Sequence, residues 1–235
     1  MANAYNVTLN QIAYGLLGEI RKHVSDDIDI SLEGIKDQIH DVRATLLKQK
    51  FDKNLRVIDD AFTQPLGALE IESVDSSIHT NISSGRYVFR TVKEIPPTIE
   101  RRNYEGTITR VGPADQLATS YNLVSYERAL YSGNGRFNKD MIFAFLKDDK
   151  IHVISNSGAY HKAVQFIEVR GVFQNPEQVA RFTDTSGSSL TFPDEAYPIS
   201  RNMRSTIEGI ILKERLGIAA QAPSDKVNDG EENVN

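Results

Sequence analysis

The sequence predicts an α+β protein: an N-terminal helical hairpin and a C-terminal helix form a split helical bundle, with an antiparallel β domain inserted between its parts. Apolar residues recur at three- and four-residue steps from Thr8 to Phe51 and again from Ile199 to Leu216. Between these zones the pattern changes to strict alternation, with turn residues punctuating short β-branched and aromatic runs. After Gly217 the chain turns polar and acidic and is expected to stay disordered unless partners hold it. The expected boundaries are residues 1–62 for the N-terminal helical part, 63–196 for the β domain, 197–217 for the closing helix and 218–235 for the tail.

The first helix carries Leu9, Ile12, Leu16, Ile20 and Val24 on one stripe, widened by Leu17, with Thr8 as its N-cap. Ser25-Asp26-Asp27 breaks the pattern. Ser31 caps the second helix, Glu33 faces the positive end of its dipole, and Leu32, Ile35, Ile39, Val42 and Leu46 form its stripe. The short connection favours an antiparallel pair. Asp37 and Asp41 share the polar side with Lys36 and Arg43 nearby, an arrangement that reads as a solvated face.

Five or six strands follow. Leu69 and Ile71 alternate with Glu70 and Glu72; Arg86–Val92 reads RYVFRTV; Thr107–Val111 ends at Gly112-Pro113. The clearest hairpin joins Met141–Leu146 to Ile151–Ile154 through Lys147-Asp148-Asp149-Lys150. Val164–Val172 is the last strand, and Asn175-Pro176-Glu177 opens a short helix with Asn as cap and Pro in its first turn. The stretch from Gly112 to Asn138 is long for a loop, which points to contact-making. In the closing helix Ile199, Met203, Ile207, Ile210, Ile211 and Leu216 make the stripe, and Gly217 is the expected stop.

Composition removes whole classes of function. The 235 residues are 40% apolar and 25% charged, with net charge −5 and no cysteine. A disulfide framework, a thiolate zinc site and a cysteine nucleophile are thereby excluded. No apolar run approaches the roughly 20 residues that span a bilayer. Met1–Leu9 lacks the basic-then-apolar order of a signal peptide, so the chain is expected to be made and kept in a cytoplasm-like compartment. Net acidity argues against tight nucleic-acid binding, which rests on clustered Lys and Arg. The acidity is also uneven. Asp225, Asp229, Glu231 and Glu232 face only Lys226 in the tail, a net −3 that leaves the folded part at −2.

No catalytic pattern emerges. A phosphate-binding Gly-rich loop ending in Lys and Ser or Thr is missing; Gly133-Asn134-Gly135 lacks the strand-turn-helix setting of a dinucleotide fold; and no G-x-S-x-G occurs. The five histidines, His23, His40, His79, His152 and His161, have no metal-ligand spacing, and His23 and His40 read as helix-surface residues. Arg101-Arg102 with Tyr104 can meet a phosphate or a partner's acids. The residues by themselves leave three classes open: an assembly part, a binding module, or an enzyme with a non-obvious site built from groups such as His152, His161 or Asp140. The closing helix, with four basic residues against two acids, is only weakly basic for a DNA-contacting module.

The order of features narrows this further. The capped hairpin precedes RYVFRTVKEIPPTIE and FAFLKDDKIHVI; FIEVRGVFQNPEQVARF, AYPIS with the closing helix, and the acidic tail follow. This series, from Leu9 to Asp229, resembles the ring proteins that join portal to tail in crAss-like and related short-tailed phages. It is more distantly similar to the gatekeeper (tubular tail protein A) family. Its most specific pieces are Arg170-Gly171-Val172-Phe173 with Asn175-Pro176, Tyr197-Pro198-Ile199, Asp225 and Asn228-Asp229. The resemblance implies a non-enzymatic virion protein without cofactor or metal. It also implies a ring of about twelve copies below the portal, around a channel through which DNA passes without specific binding. Arg101, Arg102, Tyr104, Tyr197, Pro198, Asp225, Asn228 and Asp229 are the expected assembly contacts, the tail docking onto an adjacent protein.

Overall fold

Three helix starts in this chain are built by side chains that satisfy orphan amides. The computed structural model describes residues 7–23, 30–53, 60–74, 87–100, 107–116, 119–132, 137–156, 164–183 and 195–221. Helix α1, Leu9–His23, opens with a reciprocal cap: the Thr8 hydroxyl accepts the Gln11 amide at 3.1 Å, and the Gln11 side-chain oxygen accepts the Thr8 amide at 3.2 Å. Leu9, Ile12, Leu16, Leu17 and Ile20 are buried as their spacing predicts; Val24 lies outside the described residues. Helix α2, Leu32–Lys53, begins where Ser31 Oγ accepts the Gly34 amide at 3.1 Å.

The buried face of α2 is rotated from the expected stripe. Ile35 and Ile39 are buried, but Leu32, Val42 and Leu46 are half-exposed, and burial instead runs through Lys36, His40, Arg43, Leu47 and Phe51. Leu47 and Phe51 continue the helical period of the three polar residues, and long basic side chains bury their stems readily. His40 is therefore a core residue, not a surface one. Asp37 and Asp41 are exposed, as expected.

The chain divides into two compact units, residues 1–43 with 193–235, and residues 44–192. In the first, α1 packs against the last helix, α5 (Arg201–Gln221). Their lead-in segments pair as well: Thr8 and Ala196 form a β-bridge, and the Tyr197 amide donates to the Val7 carbonyl at 2.8 Å. Ile207 and Ile211 on α5 are fully buried. The helix starts two residues later than Ile199 and does not stop at Gly217. A helical glycine costs only about 1 kcal/mol, and the good helix formers Ala219 and Ala220 follow it.

The second unit is a seven-stranded sheet in the order β3-β7-β1-β2-β6-β5-β4. The strands are β1 (Gln64–Val74), β2 (Tyr87–Thr91), β3 (Ile108–Pro113), β4 (Asn122–Leu123), β5 (Phe143–Lys147), β6 (Lys150–Ser155) and β7 (Phe166–Gly171). Every pairing is antiparallel except β4 with β5, which corrects the expectation of a purely antiparallel domain. The unexpected strand, β4, sits in the stretch read as a loop, Gly112–Asn138. That stretch also holds helix α3, Tyr126–Tyr131. Both elements are too short to leave a periodic signal.

The two edges of the sheet meet, so it is nearly closed into a small barrel. At the seam the Val111 carbonyl accepts the Tyr121 amide at 2.7 Å. Gly112 is required here, because a Cβ would overlap the Thr119 carbonyl oxygen. A second glycine, Gly67 with φ 72°, lies where the β1–β7 register shifts between Pro65 and Ala68, the geometry of a bulge that bends β1. The β5–β6 turn is equally specific: Asp148 and Asp149 have φ of 51° and 54°, the paired positive values of a tight hairpin.

Alternation along the strands separates two apolar clusters. Leu69, Phe89, Val111, Ile151, Val153, Ile167 and Val169 point inward with Phe173 and with Val179 of helix α4, Pro176–Thr183. Asn175 caps α4, its Oδ1 accepting the Glu177 amide at 2.9 Å. On the outer face Val74, Val88, Phe145 and Ile154 are covered by Ala129, Tyr126 and Leu130 of α3. A segment after β2 is laced to the rest by Ile95 N to Asp149 O, Ile99 N to Val172 O and Gln174 N to Pro97 O.

Candidate assembly surfaces

Two of the sequence-derived contact residues fall in the helical unit, where backbone pairing with Val7 holds Tyr197 in place. Tyr197 is buried, and its hydroxyl is hydrogen-bonded to His40 Nδ1 at 2.8 Å. One turn further along α2, the Arg43 Nε donates to the Pro198 carbonyl at 3.0 Å, and its guanidinium lies 5.7 Å from the Tyr197 ring centre. Arg43 has no exposed surface. Burial pushes the Tyr197 hydroxyl well above its ordinary titration range and holds the Arg43 pKa below its usual value, both by penalising the charged form. This node joins α2 to the residues that start α5. It fixes where the closing helix begins.

In the β unit a buried carboxylate is held between two arginines. Glu168 on β7 accepts from Arg110 of β3 at 3.0 Å and from Arg170 at 2.9 Å, and Arg110 also donates to the Thr119 carbonyl across the seam. The triad pins the β3–β7 register. Among the described residues of this unit, several large apolar side chains are exposed: Tyr87, Val92, Leu123, Tyr131, Phe137, Met141 and Phe166.

Arg101, Arg102, Tyr104, Asp225, Asn228 and Asp229 lie outside the described residues, as does His161. His152 is buried and stacked on Phe145, the ring centres 5.0 Å apart, while Asp140 is exposed in a turn. No group of three or more potential metal ligands occurs among the described residues, and no helix there is long and apolar enough to cross a membrane. Sequence reading missed His40 and Arg43 as structural partners of Tyr197 and Pro198. The available signal was their period with Leu47 and Phe51. It flagged 112–138 as contact-making without singling out Tyr131 or Phe137.

Comparison with known families places the chain. The model for phage tail ring protein 2, a crAss-like phage family, matches residues 11–234. No curated protein matches the chain.

Proposed function

The chain belongs to the phage tail ring protein 2 family, a structural component of the virion that assembles into a ring, and we propose that this ring joins portal to tail as a non-enzymatic connector. The family match over nearly the whole chain carries this reading. About twelve copies close the ring by heterologous contacts, each subunit offering two different faces. The ring surrounds the path of the genome. A nearly neutral folded part suits a channel in which DNA must slide, since dense Lys and Arg would hold the phosphates.

In this reading α1, α2 and α5 act as a split bundle that forms the ring wall, and the Tyr197-Pro198 segment keeps α5 in register with it. Arg101, Arg102 and Tyr104 supply cationic and aromatic contacts to neighbouring proteins. The acidic tail with Asp225, Asn228 and Asp229 docks onto an adjacent ring, ordering only on contact.

The test is assembly itself. The purified chain, alone or mixed with its portal protein, is expected to give closed rings of about a dozen subunits by light scattering and negative-stain imaging. A chain lacking residues 222–235 should keep its melting temperature and ring form but lose retention on the neighbouring ring. A wild-type chain that stays monomeric with and without portal overturns the ring reading; full retention of the truncated chain overturns tail docking.

A further inference from the structure

Strand directions show that the exposed apolar side chains of the β unit are not scattered. β2, β4, β5 and β7 run one way and β1, β3 and β6 the other. The starts of the first set and the ends of the second therefore share one end of the barrel. Tyr87 is the first residue of β2 and lies just beyond Val74 at the end of β1, whereas Phe166, the first of β7, stands opposite Glu70 further back along β1. Met141 lies two residues before β5, and Leu123 lies in β4 beside Ala144 near the start of β5.

Helix α3 brings a fourth side chain to the same end. It starts beside Phe145 and Lys147, toward the far end of β5, and runs back over the outer cluster of Val74, Val88, Phe145 and Ile154, against which Leu130 packs. Its last residue, Tyr131, thus arrives at the end where β1 finishes and β2 begins. The turn containing Phe137 is fastened there by Asn156 Nδ2 donating to the Lys139 carbonyl at 2.6 Å, and the neighbouring Ser155 stands opposite Tyr87. Among the exposed large apolar residues described in this unit, Val92 and Phe166 lie apart from this end, on either side of Glu70 in β1.

The amounts suit a protein interface. Tyr131 is 79% exposed, Phe137 89% and Tyr87 46%. At about 200 Å² for each whole aromatic side chain, the three present on the order of 400 Å² of apolar surface to solvent. That is the size of the largest, commonly functional patch on a monomer, and close to the apolar share of the ~800 Å² that each partner buries in a standard interface. The charged residues between them, Glu127, Arg128, Lys139 and Asp140, are exposed and balanced in sign. Such a rim offers no phosphate-binding stripe and suits another nearly neutral protein surface.

We propose that this aromatic end of the barrel, centred on Tyr131 and Phe137, is the subunit–subunit contact of the ring, occupied by a second copy of this chain. The inference rests on the ring reading above and specifies which surface makes the ring. A ring subunit must carry such a patch in every copy, and the patch is apolar at its centre and mixed in charge at its rim, as protein contacts are.

The full-length Tyr131→Ser/Phe137→Ser double variant tests it, with Val92→Ser as the control away from that end. The double variant is expected to keep the wild-type circular dichroism and melting temperature, because neither side chain is in the core. Its self-association should weaken about tenfold per aromatic, about 100-fold together, so that light scattering finds monomers where wild type forms rings. Val92→Ser should leave rings intact. A folded double variant that forms rings at wild-type concentrations overturns the proposal while the ring reading stands, and so does equal loss of rings in Val92→Ser. Rings that persist but no longer retain a neighbouring tail protein assign the surface to a different chain and overturn it too. A wild-type chain that never forms rings defeats the ring reading and this inference with it.

Discussion

The helical unit and the β unit dispose of their polar groups differently. In the helical unit a whole guanidinium is buried at Arg43, with His40 and the Tyr197 hydroxyl beside it, and the partners are separated by 155 to 157 residues in sequence. In the β unit the buried hydroxyls are neutral and answered by backbone: Thr107 donates to the Val172 carbonyl at 2.6 Å, and Thr91 accepts the Ile151 amide at 3.2 Å. Its buried carboxylate, Glu168, is paired with two arginines, Arg110 and Arg170. A nearly closed sheet satisfies its backbone through the ladder and can fill its interior with hydrocarbon. A helix pair closed by a returning chain has unpaired carbonyls at the junction, such as that of Pro198, and a buried donor serves them.

This contrast can be broken experimentally, from the apolar side first. Phe89→Ala empties a fully buried position in the barrel and is expected to cost about 3–5 kcal/mol, read as a fall in urea midpoint. Arg43→Ala should cost about 3 kcal/mol by the same measurement, from lost packing and an unanswered Pro198 carbonyl. Arg43→Met separates the two causes: if it recovers most of the loss, packing dominates; if it recovers none, the hydrogen bond does.

The smallest effect is the most diagnostic of the polar node. Tyr197→Phe removes the bond to His40 and is expected to cost about 1 kcal/mol near pH 7. Burial raises the Tyr197 pKa above its unfolded value of 10.0. Its contribution is therefore complete below pH 10 and declines as pH rises further, because the unfolded chain ionises first. Melting temperatures from pH 8 to 11 should fall more steeply for wild type than for Tyr197→Phe. Parallel curves would show that the hydroxyl is not the alkaline-sensitive group.

Much of the fold was legible because its signals are local. Thr8, Ser31 and Asn175 cap helices where their spacing from apolar runs says they should, and Asp148-Asp149 marks a hairpin from four residues of sequence. The candidate contacts were less legible. Tyr197-Pro198 could be singled out, but its partners His40 and Arg43 could not. A polar residue on a helix reads as solvated until something from a distant segment covers it. Gly217 misled for a related reason, since one glycine stops a helix only when the residues beyond it prefer to leave.

What the sequence determined by itself was the kind of protein: the helical and alternating zones, the caps and turns, and the ring family. These follow from composition and from periods of two and 3.6 residues, which the backbone imposes on any chain. What only the tertiary structure decided was which surfaces meet. It closed β3 toward β4, brought Arg43 to Pro198, and gathered Tyr87, Tyr131 and Phe137 from distant positions to one end of a barrel. Local pattern cannot encode that, because a ladder register and a strand direction are relations between segments, and a side chain's exposure depends on all of them at once.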